Sequence, residues 1–206
     1  MASNVISGFK IIRLTEMIQQ LGEERVEEIL SSFSSPQNKD VENFLKTKAI
    51  VFDLQSISRT HLVFTSYKQE PVLVGYFTLA NKVFKIPNKN ISKSLKKRIT
   101  KFGRYDPDFK LYTISAPLIA QLGKNFTSNY SELITGDELL QMACDIIADI
   151  QLSIGGKIIY IECEDKPKLL SFYERNGFRK FSERQLDRAS KDNIEGDYLL
   201  QLLKIL

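Results

Sequence analysis

Apolar residues recur at helical spacing through the first part of the chain. The pattern predicts short helices at LTEMIQQL (14–21) and EERVEEILSSF (23–33), with a break at Gly22 because glycine disfavours a helix interior. After the loop SSPQNKD, Asp40 is placed to cap a third helix. Five apolar residues at helical spacing mark that helix: Val41, Phe44, Leu45, Ala49 and Phe52.

The middle and the end of the chain show the patterns of strands. THLVFTSY (60–67) and PVLVGYFTLA (71–80) are rich in β-branched and aromatic residues, and they predict a hairpin across KQE. LYTISAPLIAQLGKN (111–125) predicts one long strand, interrupted or bulged around Pro117. IIYIEC (158–163) is a continuous apolar run of the kind buried in parallel sheets, and YLLQLLKIL (198–206) predicts a last strand.

Two helices are predicted between and after these later strands. Thr135 and Glu138 have the spacing of a capping box at the start of a long helix, which GGK (155–157) ends. Its apolar stripe consists of Leu139, Ala143, Ile146, Ile147 and Ile150. Pro167 suits the first turn of the second helix, and Gly177 suits its stop. This order of elements predicts an α/β fold with a mixed sheet.

Composition places the chain among globular proteins of ordinary domain size. It has 206 residues, of which 43% are hydrophobic and 26% charged. It contains no run of about 18 apolar residues and no secretory signal pattern, so a cytoplasmic location is expected. We expect structural roles for Cys144, Cys163 and the sole histidine, His61, and no metal site, because their spacing suits neither a metal nor a triad.

Positive charge is concentrated in one segment. Nine basic residues and no acidic ones lie between Lys82 and Arg104; the whole chain carries +4, so the rest carries −5. Apolar residues of this segment fall on one helical face and lysines are offset from them, which predicts an amphipathic helix. Lysines with few aromatics between them suit phosphate contact, and the candidates are Lys93, Lys96, Lys97 and Lys101. The alternative is a solvated helix face.

One motif connects these elements to a known family. The segment SFYERNGFRKF (171–181) joins a helix to a strand. This motif and the element order resemble the GNAT superfamily of N-acetyltransferases over roughly residues 33–206. The front half, from FSSPQNKD to VGYFTLA, resembles the branch of toxins that acetylate the amino group of aminoacyl-tRNA. The resemblance implies one GNAT-like acetyltransferase domain over 1–206, with 1–32 as an N-terminal helical extension. It implies a mixed, mostly antiparallel central sheet with a splayed parallel strand pair, flanked by helices.

The resemblance also implies a site for acetyl-CoA on the strand, loop and helix before residue 140. Gly136 fits the last glycine of the family's pyrophosphate loop, whereas Ile134 stands where the preceding glycine belongs and Ser131 stands near its Gln/Arg position. Pyrophosphate would bind backbone amides at the helix start, because these N–H groups lack partners within the helix. They belong to Thr135, Gly136, Asp137 and Glu138. Alternatively this turn is only a helix cap, since two acidic residues oppose an anion.

Backbone groups of the preceding strand would hold the pantetheine arm of acetyl-CoA. By position they belong to Leu122, Gly123 and Lys124, and an N–H there would also polarise the thioester carbonyl. The alternative is that these are ordinary core strand residues.

Tyr173 matches the family's tyrosine that points at the sulfur atom. A thiol has a pKa of about 8.5 and a phenol of about 10, so Tyr173 would be a general acid that always holds a proton to give to the leaving thiolate. The alternative is a core aromatic. Glu162 and Glu164, at a strand end, are candidates for the base, with Glu162 preferred; the alternative is that both are solvated strand-end carboxylates. A missing base would favour an α-amine acceptor, whose pKa of about 8 leaves part of it neutral.

These residues together predict an acetyl-CoA-dependent N-acetyltransferase that acts on a primary amine. The acceptor is either the aminoacyl group of charged tRNA or an amine of a protein or small molecule. The rival interpretation is a GNAT-fold binding or regulatory module without catalysis. A homodimer and an antitoxin-like protein partner are further candidates that the toxin branch implies.

Overall fold

Helices and strands alternate along the described part of the chain, which in this computed structural model is residues 5–6, 8–186 and 197–206. The strands are β1 (Val5–Ile6), β2 (Phe9–Arg13), β3 (Arg59–Tyr67), β4 (Glu70–Pro87), β5 (Gly103–Asp106), β6 (Leu111–Lys124), β7 (Ile158–Cys163), β8 (Arg179–Gln185) and β9 (Tyr198–Ile205). The α-helices are α1 (Leu14–Leu21), α2 (Glu23–Ser31), α3 (Lys39–Thr47), α4 (Ala49–Leu54), α5 (Lys93–Ile99), α6 (Gly136–Ile154) and α7 (Pro167–Arg175). No helix of these described ranges is long and apolar enough to cross a membrane.

Contacts divide the chain into two compact units. Unit one comprises the described residues up to 80 together with 120–143, and unit two comprises 81–119 together with the described residues from 144 onward. Strands β4 and β6 and helix α6 contribute residues to both units.

Unit one contains the predicted hairpin. Strand β3 pairs with β4 in antiparallel fashion, with Tyr67 opposite Glu70, which confirms the hairpin and reduces its turn to Lys68 and Gln69. Both turn residues have positive φ, at 52° and 69°, as two-residue hairpin turns require. Strand β2 extends the sheet beside β3, with Arg13 opposite His61.

The helices of unit one bury one face against this sheet. Helices α1 and α2 confirm the two predicted N-terminal helices and their break at Gly22. The third predicted helix is divided at Lys48 into α3 and α4. The prediction of Asp40 as its cap is wrong: Asn38 caps α3, and its side chain accepts from the Val41 N–H at 3.2 Å. The core of unit one includes Leu14, Val26, Leu30, Phe33, Leu45, Leu62 and Tyr76.

Strand β2 is an element that the sequence patterns did not predict. It lies within the predicted helical extension over residues 1–32, of which residues 1–4 and 7 are outside the described ranges. Its residues FKIIR pair with β3, about fifty positions later in the chain. The N-terminal segment is therefore part strand and part helix.

Unit two contains the parallel pairing. Strand β6 pairs with β7 in parallel at two positions, Leu118 with Tyr160 and Ile119 with Ile161. Strand β7 also pairs with β9, and β9 with β8, both antiparallel. Strand β5 forms an antiparallel hairpin with β6. The predicted mixed and mostly antiparallel sheet is confirmed, and the short parallel ladder agrees with a splayed pair.

The predicted amphipathic helix is confirmed over part of the basic segment, and strand β4 occupies the beginning of that segment. Strand β4 continues to Pro87, because Phe84 and Ile86 alternate into the core of unit two while Lys85 faces solvent. A 3-10 turn follows at Asn88–Asn90. Helix α5 covers only Lys93–Ile99, capped by the Ser92 hydroxyl, which accepts from the Leu95 N–H at 3.2 Å. Three of the four candidate lysines are therefore helical, and Lys101 follows the helix.

Candidate active site

The end of strand β6 presents alternate backbone groups to its two edges. The Asn125 N–H donates to the Val74 carbonyl of β4 at 2.8 Å. Since strand backbone groups alternate, the polar groups of Gly123 also point toward β4, and those of Leu122 and Lys124 point to the opposite edge. Of the three residues predicted to bind pantetheine through the backbone, Leu122 and Lys124 therefore have the suitable orientation.

Gly123 is explained by packing within unit one. A Cβ atom at this position would lie 2.3 Å from Cγ1 of Val41 in helix α3, far inside van der Waals contact. Strand β4 also lies close to Gly123, because a Cβ atom at Gly75 would lie 2.9 Å from the Gly123 carbonyl oxygen. The glycine therefore permits β4, β6 and α3 to approach, whether or not a cofactor binds.

The side chain of Lys124 supports the loop before helix α6. Its Nζ donates to the carbonyls of Ser131 at 2.8 Å and Ile134 at 3.1 Å. Ile134 itself is buried, so the residue that replaces a family glycine anchors the loop in the core. The sequence patterns predicted only a backbone role for Lys124, and this side-chain role was not predicted. An apolar residue inside an otherwise polar loop was the available signal.

The start of helix α6 is closed by its own capping box, as predicted. The Thr135 N–H donates to Glu138 Oε2 at 2.8 Å, and the Thr135 hydroxyl donates to the same oxygen at 2.7 Å. In return, the Glu138 N–H donates to Thr135 Oγ1 at 3.1 Å. Hydrogen bonds from the Thr135 backbone and then its hydroxyl lower the pKa of Glu138. Two of the four amides considered for pyrophosphate are therefore engaged, with Gly136 and Asp137 between them.

Tyr173 is held at the end of helix α7 in unit two. The side chain is 7% exposed, and its ring packs edge-on against Phe172 at 4.9 Å and Phe178 at 5.8 Å. Gly177, at φ 86°, ends the helix and lets the Phe178 N–H donate to the Tyr173 carbonyl at 3.0 Å. Burial raises the pKa of Tyr173, and the nearby Cys163 side chain raises it further. The phenol therefore keeps its proton at every physiological pH.

Glu162 lies in a buried polar network on three strands of unit two. Both its carboxylate oxygens accept from Arg184, with Nε at 2.9 and 3.0 Å and Nη2 at 2.9 Å. Oε1 also accepts from the Tyr160 hydroxyl and from Gln201 Nε2. Burial alone would raise the pKa of Glu162, but the hydrogen bonds from Arg184 and Tyr160 outweigh it and lower the pKa. Such a carboxylate is a weak base, and it is also not the solvated strand-end group of the alternative interpretation.

The candidate site residues are divided between the two units. Unit one holds the end of β6 and the turn at 135–138. Lys124, on β6, connects the two through its hydrogen bond to the Ile134 carbonyl, directly before the turn. Unit two holds Tyr173, Glu162 and the basic residues. Lys93, Lys97 and Lys101 are exposed, and Lys96 lies with Nζ 5.9 Å from the centre of the Tyr112 ring.

Comparison with known proteins was informative only at the level of structure. No protein-family model matches the sequence, and no curated protein is significantly similar to it. AtaT complexed with acetyl-methionyl-tRNAfMet superposes with a TM-score of 0.61 at 16% identity, covering 93% of both chains. A tyrosine-to-phenylalanine mutant of KacT superposes with a TM-score of 0.61 at 15% identity, covering 94% of both.

A third solved structure includes two ligands. A tyrosine-to-phenylalanine mutant of the AtaT toxin, bound to the C-terminus of the antitoxin AtaR and acetyl-CoA, superposes with a TM-score of 0.54 at 16% identity. It covers 94% of this chain and 92% of its own. At such identities the likeness concerns the fold. The chain therefore has a fold of GNAT type, which it shares with AtaT and KacT.

Proposed function

We propose that this chain is an acetyl-CoA-dependent N-acetyltransferase whose acceptor is the amino group of an aminoacyl residue on charged tRNA. Residues 1–206 form one acetyltransferase domain in this proposal. The observation that carries it is the end of the parallel ladder at Ile119 and Ile161, while β6 runs on to Lys124. Beyond that point the backbone of Leu122 and Lys124 offers N–H and C=O groups that an extended pantetheine arm can pair with.

The diphosphate of acetyl-CoA would bind at the start of helix α6. Amides there carry the positive end of the helix dipole, and Gly136 permits close approach. The Lys124 ammonium, bonded to the Ile134 carbonyl, places a positive charge beside the same loop. For the diphosphate to use all four amides, the capping box of Thr135 and Glu138 has to open.

Tyr173 would act as the general acid. The acceptor nitrogen attacks the thioester carbonyl carbon, a C–N bond forms, the C–S bond breaks, and its electron pair leaves on sulfur. The Tyr173 hydroxyl then protonates the thiolate, and the tyrosinate regains a proton from the acceptor nitrogen, which loses one as the amide forms. Burial keeps the phenol protonated, and the same dry surroundings raise the proton affinity of the thiolate. Because burial raises the pKa of the phenol as well, the gap of about 1.5 pKa units in water, roughly 2 kcal/mol, remains and has to be offset by positioning of the two groups.

The environment of Glu162 supports an α-amine as the acceptor. Its oxygens accept from Arg184, Tyr160 and Gln201, so it has little capacity to take a proton from an amine. A lysine amine, with a pKa of about 10.4, needs a strong base, whereas an α-amine with a pKa of about 8 is partly neutral at pH 7. The nine basic residues of the 82–104 segment support a polyanionic carrier for that amine. An antitoxin-like protein is the regulatory partner that this function would require.

The experiment is transfer of labelled acetyl from acetyl-CoA to charged tRNA. Uncharged tRNA and a lysine-containing peptide are the control acceptors. We expect label only on the charged tRNA, and we expect Tyr173→Phe to lower kcat by about 10²-fold or more with little change in the KM for acetyl-CoA. Equal labelling of the peptide would contradict the acceptor, and an unchanged kcat in Tyr173→Phe would remove the general acid.

A second candidate, a GNAT-fold binding module without catalysis, is favoured by two observations. Ile134 replaces a loop glycine and is buried, and the capping box occupies two amides of the proposed pyrophosphate site. Thermal unfolding with acetyl-CoA separates the candidates. A ligand at a hundred times its Kd stabilises the fold by about 2.7 kcal/mol, so an unchanged Tm at millimolar acetyl-CoA would favour the inactive module.

A further inference from the structure

Two large aromatic rings of unit two are exposed on one hairpin. Phe109 is 75% exposed in the turn between β5 and β6, and Tyr105 is 41% exposed on β5. The turn is well defined, because the Asp106 carboxylate accepts from the N–H groups of Asp108 at 3.0 Å and Phe109 at 3.1 Å. The hairpin therefore presents both rings to solvent from a fixed backbone.

Tyr105 lies close to the cations of helix α5. Its ring packs against the Tyr112 ring, with centres 4.8 Å apart, and Lys96 Nζ lies 5.9 Å from the centre of Tyr112. Tyr112 therefore connects the exposed ring to the helix. Residues Lys93, Lys97 and Arg98 of the same helix are exposed.

The turn that carries Phe109 is tied to a second basic stretch. The Lys110 carbonyl accepts from the Asn88 N–H at 2.9 Å, which sets the turn beside the exposed Lys89. Asp106 and Asp108 add two negative charges in this turn. Cations that could neutralise phosphates therefore lie near the rings on two elements, the 3-10 turn with Lys89 and helix α5 with Lys93 and Lys97.

Exposed rings among cations suit one class of polyanion best. A duplex hides the faces of its bases and offers phosphates, for which lysines suffice. A single strand offers unpaired bases as well, and these stack on aromatic side chains while the phosphates contact cations. Phosphate contact alone was predicted from the sequence, because both rings lie outside the basic segment and meet the lysines of α5 only in the fold.

We infer that Tyr105 and Phe109 form a stacking platform for unpaired bases of a single-stranded nucleic-acid segment, with its phosphates on helix α5. The inference rests on the proposed charged-tRNA acceptor. It adds that this surface binds an unpaired segment of the nucleic acid. Two exposed rings match two stacked bases. The positive segment between Lys82 and Arg104 provides the charge complementarity.

The test is binding of a fluorescent 12-nucleotide single strand, measured by anisotropy on the full chain without acetyl-CoA. A matched strand with abasic sites has the same phosphates and no bases to stack. We expect the abasic strand to bind the wild type more weakly, and we expect Phe109→Ala and Tyr105→Ala each to weaken the base-bearing strand about 5- to 100-fold. The slope of affinity against salt should stay unchanged, because neither substitution removes a charge.

Tyr67→Ala is the control variant, since Tyr67 is an exposed tyrosine of unit one and should leave binding unchanged. Equal affinity for the abasic strand, or wild-type affinity in Phe109→Ala, would overturn the inference, as would absence of binding to any strand. Self-association that Phe109→Ala removes while strand binding stays intact would mark a contact between copies instead. Strand binding that persists where acetyl transfer fails would overturn the proposed function alone.

Discussion

The backbone N–H and the hydroxyl of Thr135 both donate to one carboxylate oxygen of Glu138, at 2.8 and 2.7 Å. The carboxylate therefore occupies the position of an anion at the start of helix α6, where the diphosphate of acetyl-CoA is proposed to bind. Hydrogen bonds from Thr135 lower the pKa of Glu138, so it is charged at neutral pH. In the proposed site, the Glu138 carboxylate and the diphosphate would therefore compete for the Thr135 N–H.

Neutralising Glu138 should strengthen acetyl-CoA binding. A hydrogen bond to a charged acceptor is worth about 1 kcal/mol more than one to a neutral acceptor, so Glu138→Gln should lower the Kd for acetyl-CoA about threefold to tenfold. Isothermal titration calorimetry measures this, with S-acetylpantetheine as the control ligand because it lacks the diphosphate.

Asp137→Asn is the matched control for Glu138→Gln. It removes the same charge from the same turn but leaves the capping box in place. An equal gain in both variants would indicate general electrostatics and contradict competition at the box. Tighter S-acetylpantetheine binding in Glu138→Gln would contradict it as well.

Gly123 cannot accept even a methyl group without rearrangement of its neighbours. Its Cβ would lie 2.3 Å from Val41 Cγ1, so Gly123→Ala should reduce the free energy of unfolding by about 1–3 kcal/mol. Val41→Ala removes the clashing atom, and the double variant should be less destabilised than the sum of the two single variants. Urea unfolding of the four proteins measures the coupling. Strict additivity would show that the two sites do not interact.

Local patterns predicted those elements whose signals lie within a few residues. The hairpin of β3 and β4, the capping box at Thr135 and the stop of α7 at Gly177 all follow from short-range turn and capping chemistry. Strand β2 was not predicted, because it forms through pairing with β3, which lies about fifty positions later in the chain. The helix of the basic segment is shorter than its lysine pattern indicated, and the beginning of the segment is a strand because Phe84 and Ile86 are buried.

The site residues, too, could be predicted where the signal is local in sequence and not where it depends on distant partners. Tyr173 and the 135–138 turn were identified through motifs that are contiguous in sequence. The surroundings of Glu162 were not, because its partner Arg184 comes 22 residues later and meets it only through the pairing of strands with β9. Protonation and base strength depend on such partners, so the sequence could suggest Glu162 as a base but could not assess it.

Asp53 is a buried carboxylate that connects three elements of unit one. It is 1% exposed, and it accepts from the Thr15 hydroxyl of α1, the Thr60 N–H of β3 at 2.8 Å and Arg59 Nη1 at 3.1 Å. Asp53→Asn turns an NH₂ group toward these donors and should reduce the free energy of unfolding by about 2–3 kcal/mol.

An exposed ion pair provides the comparison for Asp53→Asn. Glu28 pairs with Arg25 on α2, and both side chains are largely exposed. Glu28→Gln should change the free energy of unfolding by less than about 0.5 kcal/mol, because solvent screens such pairs. Urea unfolding at pH 7 compares the two variants. A similar loss in both would contradict the structural role of Asp53.

His61 should make the stability of the chain depend on pH. It is 6% exposed and stacks on Phe77 with ring centres 5.0 Å apart, and its Nδ1 has no hydrogen-bond partner within the described residues. Burial lowers the pKa of His61 to about 4, although a hydrogen bond with the Arg59 backbone and the charge of Asp53 favour the protonated form. The folded chain thus prefers the neutral imidazole.

The sign of the dependence follows from the two pKa values. Above pH 6.5 the imidazole is neutral in both states and the stabilisation is complete; between pH 6.5 and about 4 only the unfolded chain gains the proton, so stability falls. The decrease of the His61 pKa from 6.5 to about 4 corresponds to a loss of about 3 kcal/mol in the free energy of unfolding once the pH has fallen to about 4. Urea unfolding at pH 7, 6 and 5 measures it against His61→Gln, in which carboxylates titrate but position 61 does not. We expect the wild type to lose stability more steeply than His61→Gln as the pH falls. Parallel curves for the two proteins would show that His61 is not the titrating group.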